Sequence, residues 1–314
     1  MRLVFIGTAE FALPSLETLS AEKGIEPALM VTQPDKPSGR GMKINPTPVK
    51  RFCQSKGFSF IQPDSINSAD VISSMKKLQP EFIVVVAYGQ KLSAEVLNIP
   101  RWGCVNLHGS LLPALRGAAP IHWALINGLA ETGVTTIKMS ESMDAGDILL
   151  QKTTPINNDD DFATLHDRLA KIGADLLLAT LKGIYDGKII PKPQNSALAT
   201  LAPRLKPEDR EINWKLPARM VFNRIRAFSP FPGARSRLVG REVKIYGASL
   251  SAGEEIQALS GTIVSVSPVG AVIACGNGCV LVKAMQLPGR KPQPPQALLA
   301  GRCISEGSIL GENL

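Results

Sequence analysis

The chain has 314 residues, more than one ordinary hydrophobic core can serve, so two domains are expected. Its 44% hydrophobic and 20% charged content excludes wholesale disorder, and no apolar run approaches the roughly 20 residues that a membrane-spanning helix needs. The formal charge of +8 and a sequence pI near 9.3 point to a polyanionic partner, because lysine and arginine gain affinity by releasing counterions from phosphates.

The chain opens on an apolar run, Leu3–Gly7, too short for a secretory leader and read as a first buried strand of a cytoplasmic protein. A helix from about Ala9 to Ala21 follows, with Phe11, Leu13, Leu16 and Leu19 on its apolar side and Pro14 tolerated in the first turn. Pro27–Thr32 reads as a strand, and helical periodicity returns near Pro48–Lys56 and Ser68–Leu78. Phe82–Ala87 is almost continuously apolar, as a strand covered on both faces should be. A short helix at 94–98, a strand at Gly103–Leu107, a helix over 113–130, strands at Val134–Met139 and Ile148–Thr154, and a long amphipathic helix at Phe162–Tyr185 complete the first part. That alternation implies an α/β fold with a doubly wound, mostly parallel sheet, whose ligands sit beyond the carboxyl ends of its strands. The catalytic domain is expected over 1–189 and a proline-rich linker over 190–206. The remainder, 207–314, shows a helical piece near Leu216–Ala227. Short alternating runs follow at Ala234–Leu238, Glu242–Ala248, Gly261–Ser267, Ala271–Ala274 and Val280–Gln286. That pattern suggests a small β-barrel of the OB type, ending in a frayed tail at Gly307–Leu314. The five cysteines, Cys53, Cys104, Cys275, Cys279 and Cys303, lack paired CxxC motifs and read as free thiols, with Cys275 and Cys279 at a hairpin tip.

Chemistry concentrates in three places. In Val105-Asn106-Leu107-His108-Gly109-Ser110-Leu111-Leu112-Pro113, Asn106 and His108 stand two apart on an extended segment and therefore face the same side. An amide that can bind an oxyanion beside an imidazole that exchanges protons near neutral pH suits acyl transfer. After Gly109, Ser110–Pro113 offers main-chain polar groups for a flat heterocycle. In Met143-Asp144-Ala145-Gly146-Asp147, a loop carboxylate would orient the imidazole and support its protonated form, and spacing alone does not choose between Asp144 and Asp147. In the glycine- and proline-rich stretch after the second strand, Lys36, Arg40, Lys43, Lys50 and Arg51 stand against Asp35 alone, which favours a phosphate backbone. Arg116 either contacts ligand or pairs with a carboxylate near the site. His122 and His166 fall in helical patterns and read as structural. Gly7-Thr8-Ala9-Glu10 is not a GxGxxG fingerprint, which argues against a dinucleotide enzyme.

The run Asn106-Leu-His108-Gly-Ser-Leu-Leu-Pro113, with Arg116-Gly-Ala-Ala-Pro120 and Asp144-Ala-Gly-Asp147 after it, resembles the folate-dependent formyltransferase family. The resemblance implies a catalytic Asn106, His108 and Asp144, 10-formyltetrahydrofolate as co-substrate, no metal, and folate contact through Ser110, Leu111, Leu112 and Pro113. Met143 and Ala145 depart mildly from the family's loop, where Leu and Thr are more usual. Thr32–Lys43 is similar to the loop inserted in the members that act on methionyl-tRNA, and Val85–Gly89 and Phe222–Pro232 also match them. This implies acceptor-arm contact through Arg40, with Lys36 and Lys43 beside it. The implied partner is initiator methionyl-tRNA, formylated for translation initiation, with 207–314 as a basic tRNA-binding domain and the chain as a monomer. A formyltransferase for a small amine, a nucleic-acid-binding protein on a dead enzyme fold, and a formate-releasing hydrolase are the rivals. The basic loop and extra domain argue against the first, and the full Asn/His/Asp set argues against the second.

Overall fold

In a computed structural model that describes residues 1–38, 43–251 and 257–311, the chain forms two compact units. The first comprises Met1–Pro120, Thr132–Thr154 and His166–Pro203, and the second Ile121–Glu131, Pro155–Leu165 and Arg204–Leu314. The units therefore do not divide the chain at one point. No helix among the described residues is long and apolar enough to cross a membrane.

The first unit is built on β1 (Arg2–Gly7), α1 (Leu13–Ala21), β2 (Glu26–Val31), β3 (Lys36–Ser38), β4 (Lys43–Asn45), α2 (Pro48–Lys56), β5 (Phe60–Ile61), α3 (Ala69–Lys77), β6 (Phe82–Val86), α4 (Ala94–Leu97) and β7 (Cys104–His108). After α5 (Pro120–Ile126), which apart from Pro120 falls in the second unit, come β8 (Glu131–Lys138), β9 (Asp147–Pro155) and α6 (Phe162–Tyr185), whose first turn also falls in the second. Its seven-stranded sheet has the order β5-β2-β1-β6-β7-β8-β9. Pairing is parallel from β5 through β7, and β8 joins β7 antiparallel. Strands β1 and β6 are buried along almost their whole length, which is why they carry unbroken apolar runs instead of alternation. Strand order reverses at β1, so the sheet's switch point lies between β1 and β6. Register carries this carboxyl edge across to β7: Gly7 lies beside Val86, and Val86 beside Leu107.

Three local readings in the first unit need correction. The helix expected over 113–130 is confined to Pro120–Ile126, because Leu115 (φ 60°) and Gly117 (φ 127°) take left-handed backbone that no α-helix accommodates. The stretch expected as an open loop contains the antiparallel ribbon of β3 and β4, in which Pro37 faces Ile44. The proline-rich stretch expected as a free linker is hydrogen-bonded through much of its length. Lys192 exchanges both backbone bonds with Ile148, and Thr200 and Ala202 bond to 115–119. Prolines remove donors, but the residues between them keep theirs.

The second unit contains α7 (Ala218–Ala227), β10 (Ala234–Leu238), β11 (Arg241–Leu250), β12 (Ile263–Ser267), β13 (Gly270–Ala274), β14 (Cys279–Gln286) and α8 (Pro295–Ala300). Its five strands follow the order β10-β11-β14-β13-β12, each pair antiparallel. Helix α7 buries Val221, Phe222 and Ile225, and β11 buries Val243 and Ile245. The tail expected to fray is tied down as far as Gly311: Leu310 is 1% exposed, its amide donates to Gly261, and the Gly311 amide donates to Arg237. One buried leucine with two backbone bonds outweighs the entropy of a few terminal residues. All five cysteines are free thiols, and Cys275 and Cys279 flank the β13–β14 turn.

Ile83 lies at the centre of the first unit's core with Val4, Ile6, Val31 and Met75, all fully buried. Ile83→Ala is expected to lower stability by about 2–5 kcal/mol in urea unfolding. A loss below about 1 kcal/mol would mean that the core is centred elsewhere.

Candidate active site

Strand β7 delivers Asn106 and His108 to the carboxyl edge of the sheet, on the same side, with Leu107 between them turned to the opposite face. Gly173 of α6 lets that leucine approach, since a Cβ there would lie 2.7 Å from a Leu107 methyl. His108 is 6% exposed and Asn106 half-buried. The His108 ring is held from both ends. Its Nε2 lies 3.0 Å from the Leu115 carbonyl, which only accepts, so Nε2 carries the proton. Its Nδ1 faces Asp144 Oδ1 at 3.7 Å, too long for a hydrogen bond and close enough for a charge on either to be felt.

Of the two acids that spacing left open, Asp144 is the one within ion-pair distance of the imidazole. Its other oxygen, Oδ2, accepts from the Gly117 amide at 2.8 Å, and its backbone is left-handed (φ 51°). The turn is tightened by Gly146, where a Cβ would stand 1.9 Å from the Lys138 carbonyl oxygen. Arg116, expected to meet ligand or a carboxylate, is bonded here to a neutral amide. Its Nε and Nη2 donate to Gln194 Oε1 at 3.1 and 2.7 Å. Gln194 Nε2 in turn donates to the carbonyls of Asp144 and Gly146, at 2.8 and 2.7 Å.

The segment after His108 is fastened from below. Thr135 donates to the Ser110 carbonyl and accepts from the Leu112 amide, and Gln151 Nε2 donates to both Thr135 and the Leu112 carbonyl. Ser110 Oγ donates to the Ala114 carbonyl, and Thr200 Oγ1 accepts from the Leu115 amide. The main-chain groups expected to be open for a heterocycle are thus largely used within the protein. Ser110 and Leu112 are buried, while Leu111 and Pro113 keep partial exposure. Sequence reading missed Thr135, Gln151, Gln194 and Thr200, because a polar residue that fastens a distant backbone has no spacing signature.

At the basic loop, Lys50 Nζ bonds Asp35 at 2.6 Å and Gln62 donates to the other Asp35 oxygen at 2.7 Å. Arg51 donates to the Pro46 carbonyl, and exposed Lys36 to Gln33. Arg40 lies outside the described residues, as does the side chain of Lys43. His122 stacks on Phe162 with ring centroids 3.9 Å apart. His166 has Asp167 at 2.9 Å and Phe11 edge-on. Among the described residues no group of three or more His, Cys, Asp or Glu side chains could hold a metal ion.

Residues 1–181 match the family model described as formyl transferase, and 204–302 the model for the formyl transferase C-terminal domain. The chain is 48% identical over 311 residues to the methionyl-tRNA formyltransferase of Moorella thermoacetica, covering 99% of both. It is 42% identical over 309 residues to the protein of that name from Pelobacter propionicus, covering 98% of this chain and 96% of the other. Among solved structures its fold is similar to WlaRD, a sugar 3N-formyl transferase in the presence of dTDP and 5-N-formyl-THF (TM-score 0.66, 16% identity, 93% of this chain, 99% of the other). It is also similar in fold to HypX from Aquifex aeolicus in complex with tetrahydrofolic acid (TM-score 0.63, 19% identity, 95% of this chain). There it spans about half of the partner, 47% of that chain.

Hydrogen bonds from Lys50 first and Gln62 second hold the Asp35 carboxyl below its ordinary value. A depressed folded-state value means that this carboxylate's contribution to stability is present above its ordinary titration range and lost as pH falls through the lowered one. In Lys50→Met the carboxyl should titrate closer to the ordinary value when followed by carboxyl carbon NMR. An unmoved titration would remove Lys50 as the cause.

Proposed function

This chain belongs to the formyl transferase family through both of its matched halves, and on that premise we propose that it moves the formyl group of 10-formyltetrahydrofolate to the α-amino group of initiator methionyl-tRNA. The product, N-formylmethionyl-tRNA, serves translation initiation. Full-length identity of 42–48% to proteins of that name carries the assignment. The site chemistry supports it through one feature, an imidazole whose Nε2 is committed to a carbonyl while Nδ1 faces a carboxylate.

In this reading the neutral amine attacks the formyl carbon, a C–N bond forms, and the bond from that carbon to N10 of the folate breaks. Asn106, on the same side of β7 as His108, donates to the oxyanion that develops on the formyl oxygen. His108 Nδ1 accepts the proton shed by the attacking nitrogen and returns it to the departing one. Asp144 stabilises the imidazolium in between, 3.7 Å from the nitrogen that has gained the proton. For the folate, the residues fit as a platform: half-buried Leu111 and Pro113 present apolar surface, and buried Ser110 and Leu112 hold it rigid. Lys36, Arg40 and Lys43 contact the acceptor arm. The domains run 1–189 for formyl transfer and 207–314 for tRNA binding, with 190–206 between. The five-stranded sheet of the second is read as a small OB-like barrel that offers cations to the tRNA backbone. The enzyme works in the cytoplasm as a monomer.

Asn106→Ala should lower kcat on the order of a hundredfold or more, since that is the cost of one oxyanion donor, and leave tRNA affinity within about twofold. Near-normal turnover in that variant would refute the role. Arg40→Ala should raise KM for methionyl-tRNA and leave KM for the formyl donor unchanged in steady-state assays. Unchanged behaviour toward tRNA would end the assignment of the loop.

A further inference from the structure

We infer that Gln194, anchored by Arg116, is a positioning residue that holds the Asp144 loop in register with His108. The inference rests on the functional reading above, in which Asp144 serves the imidazole. Three observations carry it. First, the Asp144 backbone is left-handed (φ 51°), a conformation that costs a non-glycine residue on the order of 1–3 kcal/mol and persists only where neighbours over-determine it. Second, one amide nitrogen, Gln194 Nε2, holds two carbonyls of that turn at once, those of Asp144 and Gly146. Third, the Gln194 amide cannot turn over, because its oxygen accepts two bonds from the Arg116 guanidinium, a pure donor. Arg116 fixes which end of the amide is which, and that end grips the turn.

Gln194 lies between Lys192, which is bridged to Ile148 at the start of β9, and Thr200, which holds the Leu115 amide. Arg116 directly follows Leu115, whose carbonyl fixes His108 Nε2, and precedes Gly117, whose amide holds Asp144 Oδ2. The pair therefore ties together the two segments that between them position the imidazole. Release of the turn would let the carboxylate drift from Nδ1. A displacement near 1 Å is enough to cost a large factor in rate without touching either substrate.

Gln194→Glu is the discriminating substitution. It keeps, and strengthens, the contact to Arg116, but replaces the donor aimed at the two carbonyls with an oxygen that repels them. Expected is a fall in kcat of about tenfold or more with KM for both substrates essentially unchanged, in a protein that stays fully folded at the assay temperature despite a modest loss of melting temperature. Arg116→Met should act in the same direction through the loosened amide, and serves as the test if Gln194→Glu does not fold. Because Arg116 acts through Gln194, combining Arg116→Met with Gln194→Met should be no slower than Gln194→Met alone, within about twofold. Asp144→Ala in parallel separates the two levels of the argument. If it abolishes turnover while Gln194→Glu is fully active, the positioning role is wrong and the reading of the site stands. If Asp144→Ala is itself fully active, the reading of the site falls and the inference with it. A rise in tRNA KM at unchanged kcat would make the pair a ligand contact, and a fall in kcat that tracks the melting temperature would make it merely structural. Either result overturns the proposal.

Discussion

A buried imidazole with an acceptor oxygen opposite each nitrogen is the constraint on which the geometry of the 108–117 and 144–146 segments depends. His108 has only one direction in which to present a lone pair, because Nε2 keeps its proton to donate to the Leu115 carbonyl. For that carbonyl to reach back, the chain must reverse within seven residues of His108, which it does through the left-handed residue at 115. The reversed segment then supplies the Gly117 amide to the carboxylate that faces Nδ1. Hydrogen bonds to charged groups are worth about 1.5–3 kcal/mol each, so the reversal and the Asp144 turn stabilise each other.

The sheet was legible because its signal is local. A run such as Phe82-Ile-Val-Val-Val has no amphipathic alternation and hence no solvent face, and the helical stretch at Phe162–Tyr185 repeats at the helical period over its full length. The failures share a cause as well. Over 113–130 the composition permits a helix, and what forbids it is the need of Leu115 and Gly117 to serve His108 and Asp144, a tertiary demand. The proline-rich stretch around 190–203 looks like a tether by composition, yet its non-proline residues pair with Ile148 and Arg116. Local propensity is a weak prior wherever a distant partner awaits the backbone.

The site was half legible for the same reason. Asn106 and His108 share a side by the geometry of a single strand, which spacing alone reveals. Asp144 over Asp147 is a matter of which acid lies at the tip of the turn, and spacing is blind to that. Arg116 was visible as a cation without a partner. Its acceptor is a neutral amide 78 residues on, as Thr200 is the acceptor for an amide 85 residues before it. Side chains that hold other residues in place act across such separations, so the acting groups of a site are easier to find in a sequence than the groups that hold them.

Charge counting has a similar blind spot. The stretch from 35 to 51 carries five cations, and the count suggests a strong phosphate contact. Lys50, however, is locked to Asp35 at 2.6 Å, and Arg51 donates to the carbonyl of Pro46, which lies between β4 and α2. These two charges build the root of the loop. Lys36, exposed on the β3 strand, donates to the neutral Gln33 amide, with no carboxylate paired to it among the described residues. Counterion release scales with the cations that meet phosphates, and a cation already neutralised by a carboxylate adds little to it. Counting all five cations as phosphate contacts therefore overstates what this stretch offers, because Lys50 at its root is already paired with a carboxylate.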